Sequence, residues 1–456
     1  MIRIFHRPGN ISIEFGAPSP KLNMHRKDSG MKSFLLTNII LLNSEEDKPY
    51  RCNMYIRNGK IEAVGGSATY DADVMLDMNG CYASPAFIDL HVHLRDPGFT
   101  HKEDLVTGTR AAAAGGFGSV FCMPNTSPIT DNAETLRYIL QKADSEASCR
   151  VFPIAAITVG QAGRLLCDLQ MLSKNGAAAF SDDGRPVESA SLMRAALREA
   201  KKCGSFIISH CEDLSLAANG CINEGEISSQ LGVPGIPNSS EEAMVARELI
   251  LAEETGAHVH LAHISTKGSV QLIREAKARG VPVTCETCPH YFSLTEEDVC
   301  SFGVMAKMNP PLRTEEDRLA IIRGLKDGTI DCIATDHAPH TIAEKGDSLT
   351  SSANGIIGLQ TAFSVAFTYL VKPGYLTLPQ LIDKITAAPA RISGLYQRMG
   401  LGKLTVGAPA DIVFYRPEAD FMLTQENNKS KSENTPYFGM KLNAAVENLM
   451  VNGIQR

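Results

Sequence analysis

The sequence predicts an α/β protein in which a closed (β/α)8 barrel is flanked by a small β domain built from both chain ends. Two observations carry this prediction. Across residues 83–395, short apolar strand-like runs alternate with capped helical runs, which is typical of a parallel sheet with crossover helices. On either side of this part, strand-like runs are separated by Asn-Gly and Gly-Gly turns, which are typical of antiparallel hairpins.

The outer segments divide into a leader and two parts of the β domain. Residues 1–30 mix Pro, Gly, Lys and Ser without a sustained period, so we expect a poorly ordered leader or tail. Residues 31–82 contain the strand-like runs TNIILLN, YIRNGKIEAVG and DVMLDMNG and are predicted to form an antiparallel unit. Residues 396–456 repeat the pattern in GKLTVGAPADIVFYRP and AAVENLMVNGIQR, so we expect the second part of the same domain there.

The central part is predicted to contain eight strands. They are AFIDLHVH (86–93), GSVFCMP (118–124), RVFPIAAI (150–157), GAAAFSDD (176–183), SFIISHCE (205–212), HVHLAHIS (258–265), VPVTCET (281–287) and IDCIATDH (330–337). Eight βα units over roughly 250 residues favour a closed barrel, whose active site would lie at the C-terminal ends of the strands. An open doubly wound sheet is the alternative, but no GxGxxG motif follows an early strand.

The sequence indicates several helix boundaries between these strands. Thr100 with Glu103, and Ser239 with Glu242, have the spacing of a capping box before a helical run. Gly115 and Gly256 stand where a left-handed residue would end a helix.

Composition limits the classes of function. The net charge of −7, from 44 basic and 51 acidic residues, provides no basic field for nucleic acid or an anionic membrane, so small molecules are the expected partners. No apolar run approaches the ~20 residues needed to span a bilayer, and a cytoplasmic location is expected. The 12 cysteines are scattered singly and are interpreted as reduced thiols; Cys285 and Cys288 lack the second pair that a structural zinc would require.

Polar residues collect at the ends of five predicted strands. They are His91 and His93, Asp182 and Asp183, His210, His263, and Asp336 followed by His340. Because side chains two residues apart in a strand share a face, His91 and His93 can bind one ion together. Imidazole and carboxylate ligands suit a divalent cation such as zinc, and the set is large enough for two ions that share a bridge. The pattern alone does not decide which of Asp182 and Asp183 would serve.

The other histidines are not predicted to be metal ligands. A lone histidine is more often structural than a ligand, and it is the convergence of these residues that favours a metal site. His258 and His260 lie before the end of their strand and are predicted to be structural. For His290, a role beside the metal site or at its entrance and a structural role are equally favoured. His6, His25 and His101 are predicted to be surface residues.

Groups suited to an anionic or amide substrate stand near the predicted metal site. Arg95 can contact a carboxylate with two hydrogen bonds. Asn125 and Asn309 offer neutral donors and acceptors, although a turn role is the commoner one for each alone. Lys102 and Glu103 are predicted to be a solvated pair at a helix start, and KSKSEN near residue 430 a solvated loop.

Taken together, seven motifs closely resemble the long-chain bacterial dihydroorotases, a family of cyclic amidohydrolases. The motifs are HVHLRDPG, KEDLVTGTRAAAAGGFGSVFCMPNT, AFSDDG, ISHCED, LAHIST, NPPLR and ATDHAPH. The resemblance extends from about residue 33 to the C-terminal residue, and the ordered set of motifs is specific. It implies a TIM-type barrel with a β domain from both chain ends, as the pattern of elements also predicts.

The resemblance also implies roles for individual residues. His91, His93 and Asp336 would hold one zinc, His210 and His263 a second where it is present, and Asp183 would bridge them. The substrate-binding positions would be His93, Arg95, Asn125, Asn309 and His340, with a backbone contact near Asn354 and Gly355; SSANGIIG departs from the family pattern there.

The implied reaction is the zinc-dependent, reversible cyclisation of N-carbamoyl-L-aspartate to L-dihydroorotate in pyrimidine (UMP) synthesis, with Asp336 as general base. The alternatives are a hydantoinase, dihydropyrimidinase or allantoinase, or a non-catalytic assembly partner. The first three typically bridge their metals with a carboxylated lysine, whereas GAAAFSDDG offers aspartates and Lys174 precedes the strand. A homodimer and association with aspartate transcarbamoylase remain open.

Overall fold

The computed structural model describes residues 33–43, 48–65 and 70–456, together with the backbone of two short strands near the start of the chain. The rest of the predicted leader, and His25 within it, lie outside the described residues. For His6 only the strand backbone is described.

The described strands fall into an outer sheet and an inner ring. In chain order they are β1 (His6–Arg7), β2 (Asn10–Glu14), β3 (Phe34–Leu41), β4 (Tyr50–Arg57), β5 (Lys60–Val64), β6 (Val74–Asp77), β7 (Tyr82–Pro85), β8 (Phe87–Val92), β9 (Phe117–Cys122), β10 (Arg150–Pro153), β11 (Ile207–Ser209), β12 (Ile222–Asn223), β13 (Gly235–Ile236), β14 (Val259–Leu261), β15 (Val283–Thr287), β16 (Cys332–Ile333), β17 (Ile412–Phe421), β18 (Leu442–Val451) and β19 (Ile454–Gln455).

Most helices follow the inner strands. They are α1 (Leu105–Ala114), α2 (Ala133–Glu146), α3 (Leu169–Lys174), α4 (Ala190–Lys202), α5 (Leu214–Ala217), α6 (Glu226–Leu231), α7 (Asn238–Thr255), α8 (Lys267–Ala278), α9 (Pro289–Ser293), α10 (Asp298–Phe302), α11 (Glu315–Asp327), α12 (Ile342–Lys345), α13 (Ala362–Ala366), α14 (Leu378–Ile385), α15 (Ala387–Ile392) and α16 (Leu395–Met399), with 3₁₀ turns at Val159–Gln161 and Gly303–Ala306 and a π-turn at Phe367–Val371. Among the described residues, no helix is both long and apolar enough to cross a bilayer. The α/β class is confirmed.

The inner strands pair in parallel around a closed cycle. Strands β8, β9 and β10 form one run, and β11, β14, β15 and β16 form another. Phe180 joins the two runs, because it bridges to Ala155 after β10 and to Ile207 in β11. Val92 of β8 pairs with His337 after β16, which closes the cycle. The carboxyl ends of these strands therefore face one rim.

The fourth predicted strand, GAAAFSDD, is the one that forms no regular strand. Phe180 forms one isolated bridge on each side, and the N–H groups of Ala178 and Ser181 donate to the carbonyls of Pro153 (2.8 Å) and Ala155 (2.9 Å), but no continuous strand results. The carboxylate of Asp182 in this segment accepts hydrogen bonds from the backbone N–H groups of Ile157 (2.8 Å) and Thr158 (3.1 Å). Backbone donors on the neighbouring segment are thus bonded to a side chain instead of to a strand ladder.

The outer sheet contains strands from both ends of the chain. Its order is β1-β2-β6-β3-β7-β17-β18-β19, with β4 and β5 attached through β3. The prediction of a purely antiparallel unit is wrong, because β6 and β7 both pair with β3 in parallel. Asn79 (φ 47°) and Gly80 (φ 73°) interrupt the chain between β6 and β7, which continue in the same direction along β3 instead of reversing.

Strand β17 connects the outer sheet to the ring through its two faces. Val413 and Tyr415 belong to the large core that also contains the ring strands and their helices. Ile412 and Phe414 belong to the separate core of the outer sheet. The two-residue period of a strand thus places one element in both hydrophobic cores.

The predicted helix signals are partly wrong. Helix α1 is capped by Asp104, whose carboxylate accepts the N–H of Thr107 at 2.8 Å, and not by Thr100 with Glu103. Helix α7 begins after Pro237, not at a Ser239 cap. At the end of α1, Gly115 is right-handed (φ −86°) and the left-handed residue is Gly116 (φ 88°). Gly256 (φ 58°) ends α7 in the left-handed region, as predicted.

Candidate metal centre and active site

The predicted metal ligands lie together at the rim where the ring strands end. His91 is in β8 and His93 follows it; the others follow the Phe180 bridge, β11, β14 and β16, and all six are buried: His91, His93, Asp183, His210, His263 and Asp336. The parallel direction of the strands explains this convergence, since each chain segment reaches the same rim before it turns toward its helix.

Asp183 lies at the centre of the cluster. Its Oδ1 is 3.4 Å from His91 Nε2, 3.5 Å from His210 Nδ1 and 3.7 Å from His263 Nε2. Its neighbour Asp182 points to the backbone of the preceding strand instead. The choice between the two aspartates, which the strand pattern left open, therefore falls on Asp183 by geometry.

Asp336 closes the other side of the cluster. Its Oδ1 is 3.0 Å from His93 Nε2 and 3.4 Å from His91 Nε2. Burial alone would raise the pKa of this carboxyl, but the charge of His91 and the hydrogen bond with His93 outweigh burial and hold the pKa at about 2. Asp336 is accordingly a carboxylate in this site.

The donor set fits a divalent cation. Four groups of described side chains place one ligand atom each within 4.8 Å of one another. Three consist of predicted ligands, namely His91, His93 and Asp183; His91, His263 and Asp336; and Asp183, His210 and His263; the fourth is His260, Glu286 and Cys332. Within the described part of the chain, buried His91 Nε2 and Asp183 Oδ1 have no hydrogen-bond partner. Unpaired imidazole and carboxylate atoms that face one another are the ligands that zinc and similar ions take.

The outer nitrogens of three of these histidines are held by polar side chains. His91 Nδ1 lies 3.0 Å from Glu286 Oε1, and His93 Nδ1 lies 2.9 Å from Asn125 Oδ1. His210 Nε2 lies 3.0 Å from Glu212 Oε2. With a metal bound, such contacts would keep the proton of each ring on this outer nitrogen and leave the inner nitrogen for the ion.

Glu286 and Glu212 were not predicted from the sequence. Glu286 is fully buried in β15, and its second oxygen lies 3.1 Å from His260 Nε2. Burial opposes the charge of Glu286, but hydrogen bonds with His260 and His91 lower the pKa to about 2. The available signal was an acidic residue inside the apolar run VPVTCET, where an ion needs a buried partner.

His258 and His260 make their hydrogen bonds with residues other than the predicted ligands, although His260 is linked to His91 through Glu286. Both contact Thr284 Oγ1 at 2.8 Å, and His260 also contacts Glu286. His290 is buried against Tyr291, and its Nε2 has no partner among the described residues. Burial lowers the pKa of His290 to about 3, so its ring is neutral. The two roles predicted for His290 remain open. His101 is exposed, as predicted.

Three residues of the rim have left-handed backbones although they are not glycine. Their φ values are 57° at Arg95, 36° at His263 and 45° at Asp336. Residues with side chains occupy this region rarely, and functional sites are where such strain is most often found.

Arg95 and His340 lie in contact beside the cluster and form what we call the cationic face, whose positive charge comes from Arg95. Arg95 Nη2 lies 3.3 Å from His340 Nε2, and Arg95 Nε donates to the Pro339 carbonyl at 3.3 Å. Burial first, and then the charges of Arg95 and Lys102, lower the pKa of His340 to about 3. The imidazole is therefore neutral, and the positive charge of Arg95 is available to bind an anion.

The remaining predicted substrate positions are distributed around the same rim. Asn125 contacts His93 and lies 3.5 Å from Asp183 Oδ2. Asn309 Nδ2 donates to both oxygens of Glu212, at 3.1 and 3.2 Å. Asn354 is exposed, and Gly355 is buried with its N–H donating to the Lys307 carbonyl at 3.1 Å.

Two predictions of solvated residues are wrong. Glu103 is fully buried and accepts hydrogen bonds from the Ser430 hydroxyl and, at 3.3 Å, the Lys431 N–H. Lys102 pairs with Glu344 at 2.7 Å instead of forming a solvated pair with Glu103. Within KSKSEN, Ser432 and Asn434 are buried because the segment packs on the rim.

Known proteins are similar to this chain over most of its length. A family description, Dihydro-orotase-like, matches residues 82–269. A dihydroorotase of Acetivibrio thermocellus is 48% identical over 401 residues, covering 88% of this chain and 93% of that protein. A dihydroorotase of Geobacter metallireducens is 48% identical over 402 residues, covering 88% and 94%.

A solved structure extends the comparison of the fold. L-hydantoinase (dihydropyrimidinase) from Arthrobacter aurescens has a TM-score of 0.84 at 24% identity and covers 93% of this chain and 96% of its own. That likeness shows the fold, and the curated relatives show the class of protein, a hydrolase of cyclic amides. The identity to the curated relatives narrows the assignment, and the chain belongs to the dihydroorotase family. The resemblance seen in the motifs is thereby confirmed.

Proposed function

We propose that the chain interconverts N-carbamoyl-L-aspartate and L-dihydroorotate in pyrimidine synthesis, with Arg95 recognising the carboxylate. The arrangement of Arg95 and His340 beside the Asp183-centred cluster is the observation that carries this proposal. In the proposed binding mode, the substrate carboxylate pairs with the Arg95 cation while the ring amide faces the predicted metal ligands. The named activity of the curated relatives supports the same reaction.

The proposal includes the finer architecture. The ring of parallel pairings is taken as a TIM-type (β/α)8 barrel over residues 83–395, and residues 31–82 and 396–456 as the two parts of a flanking β domain. The bridges through Phe180 and His337 support a closed barrel. The pairing of β7 with β17 supports a domain that both chain ends share.

The proposed cofactor is zinc, with one or two ions per subunit. His91, His93 and Asp336 would hold one ion, His210 and His263 a second, and Asp183 would bridge them. The distances from Asp183 to three histidines support the bridging role. When bound, such an ion lowers the pKa of water toward ~7 and polarises a carbonyl.

The protein groups supply binding and proton transfer. Arg95, Asn125, Asn309 and His340 hold the substrate, with a backbone contact near Asn354 and Gly355. Asp336 takes the proton of the attacking water and returns it to the leaving ring nitrogen in hydrolysis, and the same steps run backwards in cyclisation. A pKa held at about 2 means that Asp336 is ionised at neutral pH, which is the protonation state that this role requires.

A hydantoinase, dihydropyrimidinase or allantoinase is the main rival, because the fold is shared with a hydantoinase. Two features favour dihydroorotase. The segment at the fourth ring position presents Asp183, whereas Lys174 is exposed at the end of α3. The substrates of those enzymes have no ring carboxylate, so the cation of Arg95 would have no anion to bind. A non-catalytic assembly partner is disfavoured because all six predicted ligands lie together.

The experiment combines metal analysis of the purified chain with hydrolysis of L-dihydroorotate and of hydantoin. We expect bound zinc and a preference for L-dihydroorotate. The variant Arg95→Ala should raise KM for L-dihydroorotate, while Arg137→Ala, which removes an exposed arginine of α2, should not. Hydantoin as the better substrate, or full activity of Arg95→Ala on L-dihydroorotate, would support the rival instead.

Assembly and location remain part of the proposal. A cytoplasmic enzyme, a homodimer and association with aspartate transcarbamoylase are each consistent with a small-molecule enzyme of this pathway. Sedimentation of the chain alone and together with aspartate transcarbamoylase would separate a monomer, a homodimer and a mixed complex.

A further inference from the structure

The segment between β17 and β18 reaches across the rim of the ring. It includes Ser430, Lys431, Ser432 and Asn434, and it contacts loops that follow both β8 and β16. Asn434 is completely buried although it is polar and lies outside the predicted site. A buried amide of this kind is stable only when its hydrogen bonds are made within the protein.

Asn434 is bonded entirely to the backbone of two loops. Its Nδ2 donates to the carbonyls of Ala338 and Gly355, each at 2.9 Å. Its Oδ1 accepts the N–H of His340 at 3.0 Å. The main-chain carbonyl of Asn434 also accepts the N–H of Ile357 at 3.0 Å. One residue therefore joins the loop that carries His340 to the loop that carries Gly355.

These two loops are in close contact at this point. A Cβ at Gly355 would lie 2.4 Å from the Ala338 carbonyl oxygen and 2.8 Å from the His340 ring. The Gly355 carbonyl also accepts from Lys345 Nζ at 3.1 Å, and this lysine is fully buried. Asn434 and Lys345 thus hold the same carbonyl from two sides.

The same segment also binds the loop after β8. Ser432 Oγ donates to the Lys102 carbonyl at 2.7 Å, and Lys431 Nζ donates to the Thr100 carbonyl at 2.7 Å. Arg95 lies at the start of that loop and contacts His340 across the rim. The segment therefore spans both loops that carry the cationic face.

We propose that Asn434 is a positioning residue that fixes His340 and Gly355 for substrate binding. This inference rests on the proposed function, because it assigns the geometry of the carboxylate-binding face to a residue of the C-terminal part. Loss of the amide leaves the His340 N–H and the Ala338 carbonyl without their partner. The two loops then sample other positions, so substrate binding has to order them and becomes less favourable in free energy.

The test compares Asn434→Ala with Tyr437→Phe. Tyr437 lies in the same segment, is equally buried and loses one hydrogen bond, to Ser293 Oγ at 2.6 Å, which does not involve the His340 loop. We expect Asn434→Ala to raise KM for L-dihydroorotate about tenfold, as for the loss of about 1.4 kcal/mol. The change in kcat should be smaller, and bound zinc should stay at the wild-type level. Tyr437→Phe should keep the wild-type KM.

A second measurement does not depend on turnover. Hydrogen exchange of the His340 amide should be faster in Asn434→Ala than in Tyr437→Phe. The isosteric Asn434→Asp keeps the acceptor for His340 but turns a carboxylate oxygen toward two carbonyls, so it should raise KM at least as much as alanine does. This variant covers the case in which the alanine variant does not fold.

The outcomes distinguish a failure of the proposed function from a failure of the positioning role of Asn434. If the wild-type protein does not act on L-dihydroorotate, the proposed function fails, and His340 exchange alone then decides whether Asn434 positions the loop. If the wild-type protein is active and the Asn434 variants keep its KM and its His340 exchange, the positioning role is wrong. Equal effects of the Asn434 variants and Tyr437→Phe would also overturn it, since they would indicate only general loss of stability.

Discussion

At the level of single residues, the site depends on buried polar groups that hold one another. Asp336 is proposed as both a metal ligand and the general base, and its Oδ1 lies 3.0 Å from His93 Nε2. Replacing it by asparagine keeps the shape but removes the proton acceptor. We expect Asp336→Asn to lower kcat by roughly 10²–10⁴-fold, the range for loss of a general base. The measurement is steady-state hydrolysis of L-dihydroorotate alongside zinc analysis; wild-type turnover with zinc bound would rule out the base assignment.

Glu286 should influence metal affinity without touching the ion. It contacts Nδ1 of His91, so that Nε2 would be the nitrogen that binds the ion. Loss of such a partner typically weakens metal binding by about 10–100-fold, and we expect this for Glu286→Gln. Competition with a chelator measures the affinity. Glu248→Gln is the matched control, because Glu248 is equally buried but bonds Arg247 and Ser209. Equal affinity of the two variants would contradict the role of Glu286.

His340 should remain neutral far into the acidic range. Burial and the charges of Arg95 and Lys102 lower its pKa to about 3, so the folded state binds fewer protons than the unfolded state between that value and ~6.5. The contribution of the neutral ring to stability is therefore complete above ~6.5 and is lost as the pH falls toward the folded pKa. NMR of ring-labelled histidine, assigned with His340→Gln, should show no titration of His340 from pH 8 to 5, and Lys102→Met should raise its pKa. A midpoint near the usual value would contradict this account.

At the level of elements, the position of a helix start is open to test. The structure places the cap of α1 at Asp104, while the sequence spacing favoured Thr100. Asp104→Ala should lower the free energy of unfolding by about 1 kcal/mol, as expected for loss of a cap. Thr100→Ala should change it by less than about 0.5 kcal/mol, because Thr100 is exposed. Chemical denaturation of both variants measures the difference, and the reverse order would restore the sequence-based boundary.

The sequence predicted the elements better than their ends and contacts. The strand ends with His91, His93, His210, His263 and Asp336 could be located because apolar runs and the direction of parallel strands are local and repetitive signals. The partners Glu286 and Asn434 could not, because their roles depend on residues far along the chain, 195 residues away in the contact between Glu286 and His91. KSKSEN illustrates the same limit, since its polar composition gave no sign of the rim on which it packs.

At the level of the whole molecule, the two hydrophobic cores share one strand. Strand β17 contributes Val413 and Tyr415 to the ring core, and Ile412 and Phe414 to the core of the outer sheet. The side chain of Arg150 at the start of β10 is also bonded twice to Asp411, at 2.9 and 3.2 Å. We therefore expect ring and sheet to unfold in one transition. Scanning calorimetry with circular dichroism tests this, and two separate transitions would show that the cores are independent.

The shared strand also determines when parts of the fold can form during synthesis of the chain. Ser84 in β7 contacts Tyr415 in β17 at 2.9 Å, although 331 residues separate them. During synthesis the early strands must wait for a partner that emerges only after the whole ring sequence. Asn434 comes later still, and it holds the loops of the cationic face. A growing chain could thus form its βα units while it lengthens, but it would gain a finished substrate site only after Asn434 has been added.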